Sequence, residues 1–277
     1  MIRVLLFVLR PVLMSCACFI AVINVSRAAE SLELDCFIQP EMVIELSSPV
    51  DGIVANVAVD KSDKVVVGQE LARLESSVEQ TQVNLARLRA EMDENIKAKQ
   101  IQRDLTAQKK KRVVELYRTK SVPLFEKDDA EAEASLAELE LIRAKNDKKL
   151  AELDLDRALA DLNLRTLSSP IDGVVMDRYV HPGESVKDRP LLKLAKVDPM
   201  RVEIIAPSHL FGQFQPGMEL DVTTEWPTQS HYRAIVSVVD SVVDAASGSF
   251  GVRLKLPNAD NSVVGGVKCK AGVSLSE

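Results

Sequence analysis

One stretch, LSSPVDGIV at residues 46–54, decides the fold because it returns as LSSPIDGVV at residues 167–175. The offset of 121 residues holds without a gap beyond the motif, where Val65 is matched by Val186 and Leu71 by Leu192. A repeat at a fixed spacing indicates two related structural units in one chain.

Each copy predicts a small β unit. Apolar residues alternate with turn residues, Gly52 and Gly173 permit a tight bend, and Pro49 and Pro170 end a preceding element. A unit of this size cannot bury a core alone, so we expect the two to pack together. The residues between them must then leave this β structure and return to it.

The intervening segment, residues 76–166, predicts a helical hairpin. It has no Gly, its one Pro is Pro123, and it is rich in Ala, Leu, Glu, Lys, Gln and Arg, which are good helix formers. The midpoint of Ser76 and Ser168 is residue 122, beside that Pro. We therefore expect two near-equal helices of about 43 residues, each about 65 Å long, with a tip near residues 119–125.

Charge patterning supports this pairing, because a fold at residue 122 places residue i opposite roughly residue 244 minus i. The basic run 109–112 then faces Glu131 and Glu133, and Arg87 and Arg89 face an acidic pair, Asp154 and Asp156. Exposed ion pairs set the register more than the stability. The expected apolar seam consists of Leu85, Leu88 and Met92 on one arm and Leu150, Leu153 and Leu164 on the other.

Composition excludes several classes of function. The net charge of -6 and the pI near 5.3 argue against nucleic acid as a ligand, since phosphate-binding domains are usually basic. Aromatic residues make up only 4%, which favours long helices over a compact enzyme core. Motifs for nucleophilic catalysis, phosphate binding or zinc are absent from the sequence. We predict that the protein is not an enzyme and has no catalytic residue, cofactor or metal site.

The N-terminus reads as an export signal. Arg3 and Arg10 precede an apolar stretch over residues 11–25, and a small-x-small site ends at Ala28. Cleavage after Ala28 is the main expectation, with an uncleaved membrane anchor or lipidation of Cys16 as alternatives. Each alternative predicts a protein of the periplasm, associated with the inner membrane.

Cys36 and Cys269 remain after such a cleavage, near the two ends of the chain. In an oxidising compartment they could form a disulfide. Two buried free thiols remain the alternative.

The last eighty residues predict a small antiparallel β-barrel. Turn signals at Pro216-Gly217, Trp226-Pro227 and Gly265-Gly266 separate short β runs. The expected strands are 200–206, 219–225, 232–239, 250–256 and 267–275, with a short helix at 208–211.

Taken together, these motifs resemble those of the periplasmic adaptor, or membrane fusion, proteins of tripartite efflux and type I secretion systems, the HlyD-like family. The resemblance covers about residues 36 to 275. It rests on the order of modules and on three motifs: Ser48-Pro49-x-x-Gly52 with Gly68-Gln69-x-Leu71, Ser169-Pro170-x-x-Gly173, and Pro182-Gly183-Glu184-x-Val186.

This resemblance implies a mixed α and β fold: a lipoyl-like β-sandwich split by a long antiparallel α-helical hairpin, followed by a small antiparallel β-barrel. The structural positions of the sandwich would be Pro49, Gly52, Gly68, Pro170, Gly173 and Gly183. The expected division is a signal peptide (1–28), an N-terminal strand or linker (29–42), half-motif 1 (43–75), the hairpin (76–166), half-motif 2 (167–197) and the barrel with a short tail (198–277).

The resemblance also implies a function and partners. Such adaptors form homo-oligomeric rings and bridge an inner-membrane transporter, of resistance-nodulation-division or ABC type, to a TolC-like outer-membrane channel. Many relatives continue into a fourth, membrane-proximal domain, which we expect to be absent or vestigial here. The alternatives are a periplasmic coiled-coil scaffold and a biotin or lipoyl carrier, although the carrier's modified Lys has no counterpart at Glu75-Ser76-Ser77.

The hairpin tip of the family makes the channel contact. The family pattern of an Arg, a Leu four residues on and a Ser seven residues further is matched by Arg112 and Leu116, whereas Pro123 occupies the third position. The resemblance therefore implies that the tip contacts are made by Arg112, Leu116, Val122, Pro123, Leu124 and Phe125.

Overall fold

The structure is a computed structural model that describes residues 31–225 and 229–274. The predicted signal segment, with its three alternatives, lies outside these residues. Within the described ranges, no helix combines the length and the apolar character needed to cross a membrane.

The two half-motifs form one β-sandwich with four strands in each layer. One layer contains the second half of the long strand β1 (Ser31–Ser47). Its other three strands are the start of β8 (Pro190–Pro207), β6 (Gly173–Arg178) and β3 (Lys64–Val65). The other layer is ordered β5 (Thr166–Ser168), β4 (Glu70–Leu74), β2 (Gly52–Val57) and β7 (Ser185–Val186). The predicted sandwich is confirmed.

The sequence repeat appears in the sandwich as an exchange of strands between the copies. In one copy Gly52 lies opposite Val186, and at the equivalent place Gly173 lies opposite Val65. The turns match as well, because the hydroxyls of Ser48 and Ser169 each donate to the carbonyl two residues on, at 2.6 Å. Neither half can complete a layer without the other.

Gly173 is required by a close approach of two backbones. A Cβ at this position would lie 2.1 Å from the carbonyl oxygen of Ala195 on β8. The neighbouring Asp172 accepts a hydrogen bond from the backbone N–H of Val67 in the other half-motif, at 2.8 Å. An Asp in such a turn commonly bonds its own backbone, whereas Asp172 joins the two half-motifs. Of the other glycines implied by the resemblance, Gly68 and Gly183 have positive φ angles of 80° and 91°.

A six-stranded antiparallel barrel follows the sandwich. The first half of β1 pairs with β12 on one side and with β8 on the other, which closes the ring. The remaining elements are a short 3₁₀ helix (Ser208–Leu210), β9 (Glu219–Thr224), β10 (Ser230–Val239), β11 (Ser249–Leu256) and β12 (Val267–Ser274). The first half of β1 is therefore a strand of the barrel, and its second half is a strand of the sandwich.

Each β unit has its own apolar core. The barrel encloses fully buried side chains, which include Ile38, Met200, Val202, Ile204, Leu254 and Leu256. The sandwich encloses another set, which includes Val54, Leu71, Val180, Leu191, Leu192 and Leu194. Because β1 and β8 run through both units, each of these two strands contributes to both structures.

Cys36 and Cys269 are joined by a disulfide inside the barrel. They are direct register partners on β1 and β12, with Cα atoms 4.9 Å apart, and both are buried. The bond closes a sequence separation of 233 residues. A cross-link over such a loop restricts the unfolded chain strongly.

Replacing both Cys36 and Cys269 by Ala should lower the free energy of unfolding of the barrel by about 2–5 kcal/mol, because the unfolded chain regains its freedom. Denaturant unfolding of the oxidised parent and the variant measures the difference. As a control, both proteins are also unfolded under reducing conditions, where the difference should shrink because the parent has then lost the bond as well. Equal midpoints for parent and Cys36/Cys269 variant would contradict the prediction.

Candidate functional site: the helical hairpin

The hairpin grows out of one edge of the sandwich. Strands β4 and β5 pair antiparallel, with Arg73 opposite Thr166, and the two arms continue from their adjacent ends. The helices are α1 (Ser77–Glu91), α2 (Glu94–Arg118) and α3 (Leu124–Asn163). With 40 residues, α3 is about 60 Å long. The hairpin therefore holds its tip far from the sandwich.

The first arm is two helices, which corrects the expectation of one continuous helix. Met92 has an extended conformation with φ -70° and ψ 119°, and α2 begins after Asp93. Along the buried face of this arm, the spacing changes from alternating fours and threes to three successive threes around Asp93. Three successive threes are one residue shorter than the regular alternation of threes and fours. In a continuous helix this missing residue would overwind the helix pair, and the break at Met92 lets both α1 and α2 face α3.

The seam between the arms is built on small side chains of α3. One series of unexposed positions on α3 keeps a regular spacing of three and four, and it consists of Lys127, Ala130, Ala134, Ala137, Leu141, Ala144, Lys148, Ala151, Leu155, Ala158 and Leu162. The facing positions on the first arm include Val83, Ala90, Thr106 and Val113, all buried. Most positions of this series carry the small side chain of Ala, so the seam is built largely on small residues.

The seam predicted from leucine spacing is therefore wrong. Leu85, Leu88, Met92, Leu150, Leu153 and Leu164 all lie on the outer surface of the hairpin. The physical reason is that another series of α3, made mostly of Ala with Leu141, Leu155 and Leu162, has the same spacing of three and four and already fills the seam. Each of these six residues lies two positions after a seam residue, on nearly the opposite side of its helix.

Ion pairs across the seam confirm the predicted antiparallel pairing and the predicted contact of the basic run 109–112 with Glu133. Lys99, expected opposite residue 145, pairs with Glu140 instead, five residues nearer the tip. Lys109 Nζ lies 2.6 Å from Glu133 Oε2, and Lys99 Nζ lies 2.8 Å from Glu140 Oε2. The hydrogen bond to Glu133, and then its charge, raise the pKa of Lys109. Arg89 and Asp154 line the same surface groove nearer the sandwich.

Apolar side chains also cover the outer face of both arms. These side chains are 43–69% exposed and comprise Val78, Leu85, Leu88, Met92, Ile101, Leu105, Leu136, Leu139, Leu150, Leu153 and Leu164. We call this set the outer stripe. A two-helix hairpin has a single seam, so the outer stripe faces solvent in the single chain.

The tip is a defined turn. Lys120, with φ 59°, takes the left-handed conformation, and its N–H bonds the carbonyl of Tyr117. The N–H of Ser121 bonds the carbonyl of Leu116, which completes a Schellman arrangement at the end of α2. Pro123 precedes the first residue of α3, where the absence of its N–H costs nothing. The backbone at the tip is thus fixed by its own bonds.

The side chains at the tip are apolar, and most of them are exposed to solvent. Leu124 is 53% exposed and Phe125 is 79% exposed, while Val122 is half-buried. Just below them, Lys127 lies over the Tyr117 ring of the other arm at 5.8 Å, and a hydrogen bond to Glu131 is the main cause that raises the pKa of Lys127. The sequence reasoning missed this Tyr–Lys contact; the signal was a lone Tyr near the fold point.

The structure divides the six predicted tip residues into two groups. Val122, Pro123, Leu124 and Phe125 are at the turn itself, whereas Arg112 and Leu116 lie on one side of α2. Their separation of four residues puts these two on the same helix face. Leu116 is 46% exposed, and Arg112 lines a surface groove with Gln108, Lys111 and Glu115.

Comparison with known proteins places this architecture. A family model described as "CzcB-like, barrel-sandwich hybrid domain" matches residues 42–195. Among solved structures, the chain is similar to MacA from Actinobacillus actinomycetemcomitans, with 19% identity and a TM-score of 0.75 over 89% of this chain and 78% of that chain. It is also similar to the membrane fusion protein Spr0693 from Streptococcus pneumoniae R6, with 14% identity and a TM-score of 0.61. That match covers 89% of this chain and 100% of that chain. No curated protein sequence matches the chain significantly.

A sandwich that is split by a hairpin and followed by a barrel defines the fold class of the membrane fusion proteins. Since the family model covers more than half of the sequence, the chain belongs to the CzcB-like barrel-sandwich hybrid family. The family resemblance carried by the repeated motif is confirmed.

Replacing Ala137 in the seam by Leu should destabilise the hairpin by about 1–3 kcal/mol, because the larger side chain forces the arms apart. Thermal unfolding followed by circular dichroism at a helical wavelength measures the change. The control is Leu139→Ala on the outer stripe of the same helix. A seam variant as stable as the parent would contradict the Ala-based packing.

Proposed function

We propose that this protein is a periplasmic adaptor that bridges an inner-membrane transporter and a TolC-like outer-membrane channel, and that it has no catalytic activity. The observation that carries the proposal is a long hairpin, held at both ends by one sandwich, whose far tip exposes apolar side chains. Membership of the family supports an adaptor role. A plain scaffold has no need to hold a hairpin by both ends.

The tip is the proposed contact with the channel. Leu124 and Phe125 expose apolar surface on a turn that is fixed by backbone bonds. A preorganised apolar end loses little conformational entropy when a partner covers it. Arg112 and Leu116 extend this surface down one side of α2, and their basic and apolar character suits a groove between helices that carries acidic residues.

The outer stripe is the proposed contact between neighbouring copies in a ring. The first arm, α1 with α2, carries twice as many basic as acidic residues, and α3 carries twice as many acidic as basic. Opposite charge favours the first arm of one copy against α3 of the next. Such a head-to-tail contact repeats and can close into a ring.

Replacing Val122 and Leu124 by Asp should abolish export while folding and localisation persist, because buried carboxylates would oppose docking. The measurement is export of substrate, or resistance to it, in cells that depend on this protein. The control pair, Val122→Ile with Leu124→Met, keeps the tip apolar and should export normally. Full export by the Asp pair would contradict the proposed contact between the tip and the channel.

Replacing Leu88 and Leu153 by Asp should leave the protein monomeric at concentrations where the parent associates, because the outer stripe loses its apolar surface. Sedimentation velocity on both proteins tests this. The control pair, Asn84→Asp with Lys145→Asp, adds acidic charge at exposed positions beside the stripe. Association of the stripe variant equal to that of the parent would overturn the lateral contact.

The bridge itself is tested by affinity purification of the tagged full chain from cross-linked cell envelopes. Recovery of an inner-membrane exporter together with an outer-membrane channel supports the proposal, and the exporter identifies the transporter class. Recovery of neither by a properly exported protein would favour the coiled-coil scaffold.

A further inference from the structure

Three segments meet where the hairpin leaves the sandwich, and one side chain joins them. Arg165 follows the end of α3, Glu79 lies in the first turn of α1, and Asp51 lies in the turn before β2. The guanidinium donates from Nη1 to the carbonyl oxygen of Asp51 at 2.9 Å and from Nη2 to Glu79 Oε1 at 2.7 Å. It thereby ties both arms to the sandwich.

This ion pair differs from the others of the hairpin in its burial. The side chains of Arg165 and Glu79 are 22% and 15% exposed, against 49% and 42% for Lys109 and Glu133 in the middle of the hairpin. A charge pair that is removed from water is screened less and holds its geometry better than an exposed pair. The planar fork of an arginine also fixes the angle between its two acceptors, which a lysine cannot do.

Room for the guanidinium is made by Gly52. A Cβ at this position would lie 2.8 Å from Arg165 Nη1 and 3.1 Å from Leu74 Cδ1. The glycine of the first repeat copy therefore has a second role beside its turn. The backbone continues the link, since the N–H of Leu74 bonds the carbonyl of Arg165 and the N–H of Glu75 bonds that of Ile53, both at 2.8 Å.

We propose that Arg165 is a positioning residue that fixes the direction in which the hairpin leaves the sandwich. The hairpin is a lever of about 60 Å, so a swing of about 10° at its root moves the tip by about 10 Å. Aiming the tip is useful if the tip docks on a channel, and this use rests on the proposed function. The clamp itself does not depend on any partner.

The test is a distance measurement by pulsed electron paramagnetic resonance on the purified full chain. Spin labels are placed at Lys145→Cys on α3 and Lys187→Cys on the sandwich, both exposed positions. Cys16 and Cys18 are replaced by Ser, and Cys36 and Cys269 are already bonded to each other. Residue 145 lies about 27 Å above the root, so a 10° swing changes its position by about 5 Å.

The parent should give a narrow distance distribution. Arg165→Ala should broaden it by about 5 Å, and Gly52→Ala should do the same because its Cβ displaces the guanidinium while Arg165 is retained. The width for Arg165→Lys should lie between those of the parent and Arg165→Ala. The width for Lys109→Ala, which removes an exposed ion pair far from the root, should match that of the parent. Circular dichroism checks that each variant keeps its helices.

Distributions for Arg165→Ala and Gly52→Ala as narrow as that of the parent would overturn the clamp. If Arg165→Ala fails to fold, Gly52→Ala and Arg165→Lys still decide the question. An export assay on the same variants is separate: a parent that supports no export contradicts the proposed function, whereas the distance distributions still support or refute the clamp.

Discussion

The pairing of two half-motifs into one sandwich is the constraint on which the rest of the structure depends. Each half supplies strands that complete the layers of the other, with Gly52 opposite Val186 and Gly173 opposite Val65. Neither half buries a core alone, so the ends of the intervening segment are brought to adjacent strands. A helical segment with both ends at one place must double back, and a long hairpin is the compact way to do so. The same geometry supports the proposed adaptor role, because the sandwich is the base from which the tip is held out.

Much of this architecture could be read from the sequence because the signals are local. The nine-residue repeat gives the two half-motifs, and the lack of Gly between them gives the hairpin with its fold beside Pro123. The ion pair of Lys109 and Glu133 follows from the position of the fold point alone. Strand order in the barrel, by contrast, depends on contacts between distant segments, and the closure of the ring by residues 31–38 has no local signature.

The hairpin seam shows why leucine spacing misled. Leucines at spacings of three and four mark an apolar face, but they do not say which partner covers that face. Here the alanines of α3 have the same spacing, two positions away, and form the seam within the chain. The helix α3 has two apolar faces, and within a single chain the first arm covers only one of them. The clamp at Arg165 was likewise invisible, because its partners, Glu79 and Asp51, are 86 and 114 residues away in the sequence.

The position of β1 in the barrel has a consequence for how the chain matures. Ser31 is paired with Ser274, and the barrel ring is complete only when β12 stands between β1 and β9. A chain delivered N-terminus first therefore carries an unpaired strand edge until its last residues arrive. The hairpin, whose two arms both precede β12 in the chain, can form earlier. Export across a membrane in an unfolded state, which the proposed periplasmic location would require, would leave β1 exposed to wrong partners during the interval between these two events.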